Sequence, residues 1–579
     1  MRHRLTWWLF VLIVTGALCV YLIGNQSVGL FDRDEPRYAQ TSRQMLSSGD
    51  WVVPRFLDRV RTAKPVLIYW CQATAMSVLG DTRFAARLPS ALAMTMTVAG
   101  LAVFVSMAAG RRRGLWTAFI LSSCVMACVS AKMCLTDGVL LLFITASQIC
   151  LYRLWRHGPD WKTAAAFGLT AGLAGLTKGP VALGVNGMTL LALWGLGRTL
   201  PRPALAKRWT AGRTAVVVAV AAVVLVAVVT PWLWMIQARA PQFLSTAIGN
   251  DVIDRMQRGK EGHSAPPGTY ALLVWGTFFP WSLLLPAALV WGWKRRRWPA
   301  TRFALAAFAG PWLMFELVAT KLPHYVLPTY PALAYLTADL LVRAHRGHVK
   351  DLATRAFRVV AWGWGILVAL AGLAAPAALL WLGQDDPKAA AGALLIAALA
   401  IVTGIATARR FGQNRPLAAA RAMGGGFLGF VAIAYALLLP DLAPLQLTRQ
   451  AAALIKNNGG YGQPGVMIDF KEPSLAFEQG GGLREESDAD YLNRTPPADW
   501  PEWAVLTRRV WDGVPPEIRH QWSLIGQMWP EWAVLTHDLG KGVPPEIRDQ
   551  WTLIGSVSGV AYSDRGAKQE VLVLRRAER

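Results

Sequence analysis

AVVVAVAAVVLVAVVTPWLW, residues 215–234, decides the fold class. It carries no charge and is long enough, as a helix, to cross a hydrocarbon core of about 30 Å. Leu5–Gly24, Ala271–Trp291 and Ala361–Leu382 repeat the pattern. The whole chain of 579 residues is 54% hydrophobic and only 16% charged, whereas soluble domains carry about 25% charged residues. This composition makes a polytopic membrane protein. It excludes a soluble enzyme and an ordinary nucleic-acid binder.

Hydropathy marks 13 spans, near residues 5–24, 89–109, 115–131, 135–151, 163–177, 180–197, 213–235, 270–292, 303–319, 325–342, 357–382, 388–408 and 423–440. An odd number of crossings puts the two termini on opposite sides. The net charge of +24, from 59 Lys+Arg against 35 Asp+Glu, is confined to particular loops. Arg2/Arg4, Arg111–Arg113, Arg153/Arg156/Lys162, Arg198–Arg213, Lys294–Arg302, Arg343–Arg358 and Arg409–Arg421 hold about 27 basic residues against two acids, Asp160 and Asp351. Short Lys/Arg-rich loops stay in the cytoplasm. The amino terminus is therefore expected inside and everything after Pro440 outside. Leu5–Gly24 reads as an uncleaved first span, because its apolar run is long and no small-residue cleavage site follows it. All six cysteines (Cys19, Cys71, Cys124, Cys128, Cys134, Cys150) lie in the apolar first part. None forms a CxxC pattern, so core packing is their expected role.

Three pieces emerge. Residues 1–24 and 89–440 form the membrane part, with 25–88 as a large first outer loop grouped with it. Within that loop, Val66–Gly80 is too short to span and reads as an interfacial helix. From Asp441 onward acids outnumber bases by about 19 to 15. There VMIDF, WAVLT, SLIG and VLVLR read as short strands, and PPEIRHQW as a helix with prolines in its first turn. A small α/β domain outside the membrane is expected over 441–579. It contains a tandem repeat: Trp500–Met528 recurs as Trp529–Val557, with about 20 of 29 positions identical. One copy reads strand–loop–helix–strand. A recent duplication explains it, or the paired Trp503 and Trp532 serve carbohydrate binding.

The polar residues that hydropathy leaves unexplained fall at the outer face. They are Asp32, Asp34, Glu35, Arg37 and Tyr38 in FDRDEPRY; Lys64 in TAKP; Asp137 in CLTDG; Lys178 in LTKGP; Arg255, Lys260 and His263 in DRMQRGKEGH; and Lys321, His324 and Tyr325 in TKLPHY. A single Lys or Arg at a span end can snorkel to the interface, but six loops converging on one side call for more. Lys and Arg clusters bind phosphate, and a carboxylate among them can act as general base or orient an acceptor. The expected substrate is a membrane-anchored phosphate carrying a transferable group, for which a sugar is the natural candidate. No nucleic-acid partner is expected.

The ordered set FDRDEPRYAQTSRQMLSSGDWVVPRFLD, TAKPVLIYW, TRFAARLPSAL, LTDG, LTKGP, GHSAPPGTY, FFPW and KLPHYVLPTYPALA resembles the bacterial relatives of protein O-mannosyltransferases, most closely the lipid A aminoarabinose transferases. It covers roughly residues 5–345 well and the rest in outline. The resemblance implies an all-α GT-C membrane fold and a polyprenyl-phosphate sugar donor used at the periplasmic face of the inner membrane. It makes Asp34 the catalytic carboxylate, flanked by Glu35, Arg37 and Tyr38, with Asp137 a second acid. Glu35 has a structural alternative, capping a helix that begins at Pro36. Lys64, Lys178, Arg255, Lys321 and Tyr325 are implied to hold the donor phosphate or line its cavity. His263 matches a histidine that in the aminoarabinose enzymes pairs with a glutamate just before the KP lysine. Here that position is Ala63, which leaves a divalent metal at His263 half-equipped and the sugar open; no other cofactor is implied.

The expected activity is inverting transfer of a sugar from polyprenyl phosphate to a lipid A-like glycolipid or a protein. Two rivals remain at this point. A secondary transporter or flippase would show repeated membrane halves and charges near the midplane, and neither is visible. A scaffold presenting the outer domain would need neither Asp34 nor Asp137.

Overall fold

The computed structural model describes residues 2–31, 33–198, 209–247, 249, 264–381, 386–442, 446–496, 499–519, 522–528 and 571–576. The chain is mostly helical, and its contacts divide it into two compact units. One comprises Met1–Asn25, Thr62–Ala75 and Phe84–Leu438; the other Gln26–Arg61, Met76–Arg83 and Leu439–Arg579.

The first unit is a helical membrane body. Among the described residues, six helices are long and apolar enough to cross a bilayer: Arg83–Ala109, Thr136–His157, Ala211–Arg239, Arg355–Trp381, Pro387–Gly412 and Pro416–Asp441. Arg111–Ser122 and Val125–Lys132 make a seventh if the pair, bent by 64°, counts as one crossing. Several of the thirteen hydropathy stretches are thus not single straight helices. Residues 115–131 break at Ser123–Cys124. Residues 270–292 divide into helix Thr269–Thr277, a 3-10 turn at Trp281–Leu284 and helix Leu285–Lys294. Pro280 sits in that break, where its missing N–H and fixed φ interrupt the helical ladder. Hydropathy reports an oily neighbourhood and is blind to such interruptions. Leu67–Leu79, in the stretch read as interfacial, is a helix of 13 residues.

The decisive stretch behaves as its composition demands. Helix Ala211–Arg239 is capped by the Thr210 hydroxyl, which accepts from Arg213 N. It leaves Val216, Val218, Val223, Val226 and Trp234 exposed, a face that only lipid tolerates. Its other side lies so close to helix Trp161–Lys178 that a Cβ on Gly168 would be 2.3 Å from Ala221 O. Gly168 and Gly172 form the small-xxx-small spacing that lets membrane helices approach this closely.

The second unit is built on a five-stranded sheet. Strands are β1 (Arg55–Phe56), β2 (Arg59–Val60), β3 (Gly465–Ile468), β4 (Leu483–Glu486), β5 (Trp503–Thr507), β6 (Trp522–Met528) and β7 (Val571–Arg576). β1 and β2 form a small antiparallel pair, and the larger sheet runs β4-β3-β5-β7-β6. β3 is parallel to β4 and β5, while β7 is antiparallel to β5 and β6. Both central strands, β3 and β5, are buried on both faces, which is why GVMI and WAVLT read as unbroken apolar runs. Trp503 and Val505 pack with Leu447, Ile455 and Met467 on one face, and Ala504 and Leu506 with Val466 and Trp511 on the other.

This placement overturns the carbohydrate-binding reading of Trp503. Its side chain is 0% exposed, and Gly460 packs so tightly on it that a Cβ there would lie 2.4 Å from Trp503 Cε2. In the first repeat copy the order strand, helix, strand is seen as β5, helices Arg508–Gly513 and Pro516–Arg519, then β6. The second copy, with Trp532, lies outside the described residues. Trp503→Ala is expected to destabilise this unit by about 3–5 kcal/mol through the cavity it leaves. Limited proteolysis of the second unit checks this, and wild-type resistance would contradict the core role.

The first loop is divided: Gln26–Arg61 and Met76–Arg83 group with this second unit, while Thr62–Ala75, with Lys64, stays with the membrane unit as the sequence grouped it. Helix Asp34–Ser48 buries a polar stripe, Gln40, Thr41, Ser42 and Arg43. Arg43 Nη1 donates to Phe477 O at 2.6 Å and to Gln40 Oε1 at 3.1 Å, and its guanidinium lies 4.0 Å over the Phe477 ring. Arg43 also pairs with Asp81, and Arg83 with Glu478 at 2.7 Å. Pairing of this kind offsets the cost of burying Arg43 and the Gln40 carbonyl, although Gln40 Nε2 and Thr41 Oγ1 find no hydrogen-bond partner among the described residues. No hydropathy pattern announces these contacts.

Candidate active site

In the first unit the site begins with a helical hairpin. Helices Thr136–His157 and Trp161–Lys178 are joined by three residues, with Asp160 capping the second through Thr163 N. The first turn of one helix and the last turn of the other therefore end at the same level. Asp137 occupies that first turn and Lys178 that last turn, each at the end whose helix dipole favours its charge. They meet: Lys178 Nζ donates to Asp137 Oδ1 at 2.6 Å. The Asp137 side chain is 8% exposed and that of Lys178 13%, so the pair is shielded from screening by water.

The TKLPHY motif completes this cluster. His324 Nε2 is 3.9 Å from Asp137 Oδ2, and its ring packs edge-on to Tyr325 with centroids 5.0 Å apart. Lys178 Nζ lies 5.3 Å over the Tyr325 ring, within the range of a cation–π contact. Lys64, whose Nζ donates to Ala63 O at 2.8 Å, is within electrostatic reach of Asp137. Four residues singled out by the sequence, Lys64, Asp137, Lys178 and Tyr325, are thus brought together. His324, singled out with them at the outer face but given no role of its own, joins them.

Asp34 stands in the second unit, at the first residue of helix Asp34–Ser48. The helix starts there rather than at Pro36. The Asp34 side chain is 58% exposed, and Arg61 Nη2 lies 3.7 Å from its Oδ1. The Arg61 guanidinium also sits 4.9 Å over the Tyr38 ring, so Arg61, missed in the sequence, bridges two expected site residues. Glu35 differs from its neighbour. It is fully buried, and its Oε2 accepts the Phe31 N–H at 2.6 Å, the contact of a residue anchoring the helix entry. Arg37 acts electrostatically on Glu485 of β4, whose carboxyl is raised above its ordinary value by burial, against the pull of Arg37, Arg59 and Lys471.

Lys321 does not join the Asp137 cluster. Its Nζ donates to Glu316 O at 2.8 Å, Val318 O at 2.7 Å and Phe315 O at 3.4 Å. It closes the carboxy-terminal end of helix Pro299–Leu317, where a cation offsets the dipole. Asp32, Arg255, Lys260 and His263 lie outside the described residues. Among the described residues no three His, Cys, Asp or Glu side chains gather in a metal-holding group, and Ala63 supplies no ligand, so no step is assigned to a metal.

Residues 6–246 match the family described as dolichyl-phosphate-mannose-protein mannosyltransferase. The undecaprenyl phosphate-alpha-4-amino-4-deoxy-L-arabinose arabinosyl transferase of Aeromonas salmonicida is 31% identical over 68% of this chain and 70% of its own length. That of Aeromonas hydrophila is 31% identical over 66% and 68%. The fold matches crystal structures of ArnT from Cupriavidus metallidurans. The form bound to undecaprenyl phosphate has a TM-score of 0.72 at 19% identity, covering 98% of both chains. The apo form has a TM-score of 0.71 at 20% identity, covering 90% of this chain and 96% of that one. With these matches, the chain belongs to the family of aminoarabinose arabinosyl transferases related to the protein mannosyltransferases, and is a multi-pass membrane glycosyltransferase.

Proposed function

We propose that this protein transfers a sugar from undecaprenyl phosphate to a lipid A-type glycolipid at the periplasmic face of the inner membrane. The observation that carries this reading is the shielded Lys178–Asp137 pair with Lys64, His324 and Tyr325 around it. An ammonium has three donors, and Asp137 takes one of Lys178's, which aims the remainder. The donor's phosphate binds Lys64, Lys178 and Arg255, with Tyr325 alongside. The acceptor oxygen attacks the anomeric carbon from the opposite side, and the carbon–oxygen bond to the phosphate breaks with inversion. Asp34 orients the acceptor and takes its proton, Arg61 and Tyr38 hold Asp34 in place, and Glu35 positions the loop. Stabilising the departing phosphate is the largest contribution. Thirteen spans, a cytoplasmic amino terminus and a small periplasmic α/β domain complete this reading.

Transfer of labelled sugar from undecaprenyl phosphate-linked 4-amino-4-deoxy-L-arabinose to lipid A, in detergent, tests the activity. A transporter or scaffold forms no covalent product. Reporters fused after Arg113 and Arg296 are expected to read cytoplasmic, and those after Gly268 and Arg579 periplasmic. A periplasmic signal at Arg296 breaks the assignment of faces. Lys64→Ala, Lys178→Ala and Arg255→Ala are each expected to weaken donor binding roughly ten- to a hundred-fold, the worth of one charge-assisted hydrogen bond. Arg255→Lys restores only part, since a point charge lacks the guanidinium fork. Competition with free undecaprenyl phosphate measures this, and Arg112→Ala and Arg296→Ala should leave it unchanged. Equal losses in all variants would mean that the charges serve insertion and folding.

A further inference from the structure

At the end of the membrane unit carrying Arg111–Arg113, one carboxylate is crowded by arginines. Asp339, 3% exposed, accepts from Arg113 Nε at 2.5 Å, from Arg343 Nε at 3.1 Å and from Trp291 Nε1 at 3.2 Å. Arg295 is a third guanidinium in the same electrostatic group, stacked 4.4 Å over Trp298. Among the described residues, its buried Nε and Nη2 donate to no acceptor. Three cations thus face one anion, and one of them holds buried donors without a partner, an expensive arrangement unless an anion joins it. Burial and the charges of Arg343 and Arg113 push the Arg295 pKa down, as expected of a cation short of a counter-charge.

Beside this cluster lies an apolar crevice that is partly open to its surroundings. Its walls include Ala108 of helix Arg83–Ala109, Tyr152 of helix Thr136–His157, Phe303 and Ala304 of helix Pro299–Leu317, and Tyr335 of helix Tyr330–His345. Three of those helices lead from the crevice to the arginines. Arg113 Nη1 donates to Ala109 O at 2.6 Å, next to Ala108. Trp298 directly precedes the Pro299 helix. Asp339 lies four residues beyond Tyr335, on the same helix face. An oily slot whose Tyr335 wall lies within electrostatic reach of the unpartnered Arg295 donors has the chemistry of an anionic lipid, chain in the slot and phosphate on the arginines. The charge pattern places Arg113, Arg295 and Arg343 in inner loops, away from the Asp137 cluster, while the crevice wall also includes Pro328 of the 3-10 helix Pro323–Thr329 that carries His324 and Tyr325.

We infer that this crevice and the Arg113–Arg295–Arg343 cluster form a binding site for an anionic glycerophospholipid of the inner leaflet. The test uses delipidated full-length protein in a neutral detergent, titrated with dioleoyl phosphatidylglycerol, dioleoyl phosphatidylcholine or glycerol phosphate, with binding followed by native mass spectrometry and thermal shift. Phosphatidylglycerol is expected to bind about ten-fold or more tightly than phosphatidylcholine, and glycerol phosphate not measurably at the same concentration. Arg295→Gln, which removes no protein hydrogen bond at Nε or Nη2, should erase that preference, while Arg112→Gln keeps it. Ala304→Phe, filling the slot, should weaken both lipids. Arg295→Gln decides the matter if Ala304→Phe does not fold. Equal binding of the two lipids, a preference that survives Arg295→Gln, or glycerol phosphate competing as well as the lipid would each overturn the site.

Discussion

Asp34→Asn is expected to lower the turnover of sugar transfer by roughly 100- to 10,000-fold, the range that a positioned general base contributes. The substitution keeps the size of the side chain and removes its charge and basicity. The Asp34 side chain is 58% exposed, and Arg61 lies 3.7 Å away, a distance that contributes little to folding. Expression, thermal stability and donor binding are therefore expected to stay near wild type. Asp34→Glu separates charge from geometry: it keeps the carboxylate and moves it, so partial activity is expected. Single-turnover measurements with saturating donor isolate the chemical step. Wild-type turnover in Asp34→Asn would remove this residue from the mechanism.

The second large effect concerns Asp137. Asp137→Ala strands the Lys178 ammonium in a shielded site, and breaking a buried pair by removing one partner costs about 3–5 kcal/mol. Asp137→Asn keeps an acceptor for Lys178 Nζ and should fold better while remaining severely impaired in transfer. The informative variant is the double one, Asp137→Ala with Lys178→Met. With both charges gone the desolvation penalty disappears, so the thermal midpoint should return towards wild type. Activity should not return, because the lysine that holds the phosphate is missing. A double variant that transfers sugar at the wild-type rate would reduce the pair to a structural device.

The two variants differ because the units differ. Asp34 begins a helix clamped onto the Pro473–Gln479 segment by Arg43, and its own surroundings are open. Asp137 sits at the joint of two helices, where charge, dipole and burial are coupled. Loss of function is accordingly expected with stability intact at Asp34, and with stability impaired at Asp137→Ala.

Composition and charge distribution alone determined that this is a membrane protein, because hydrocarbon admits only long uncharged helices and arginine-rich loops resist translocation. Four strands of the second unit were also legible: β3 and β5 are buried on both faces, which forces unbroken apolar runs, and β6 and β7 were read as SLIG and VLVLR, whereas β1, β2 and β4 gave no such run. The polar motifs could be collected because each stood out against an oily background. What they do to one another could not. Asp137 and Lys178 meet because two helix lengths and a three-residue turn bring their ends level. Lys321 is consumed by three carbonyls and Glu35 by a backbone N–H, while His324, collected among the polar residues without a role, enters the cluster. The attachment of Gln26–Arg61 to the second unit depends on buried polar contacts such as Arg43 to Phe477, which leave no periodic signature. Hydropathy and motif order are one-dimensional records of burial and identity. Pairing of charges, breaks in helices and the occupation of hydrogen-bond donors are properties of the packed chain, so only the tertiary structure could decide them.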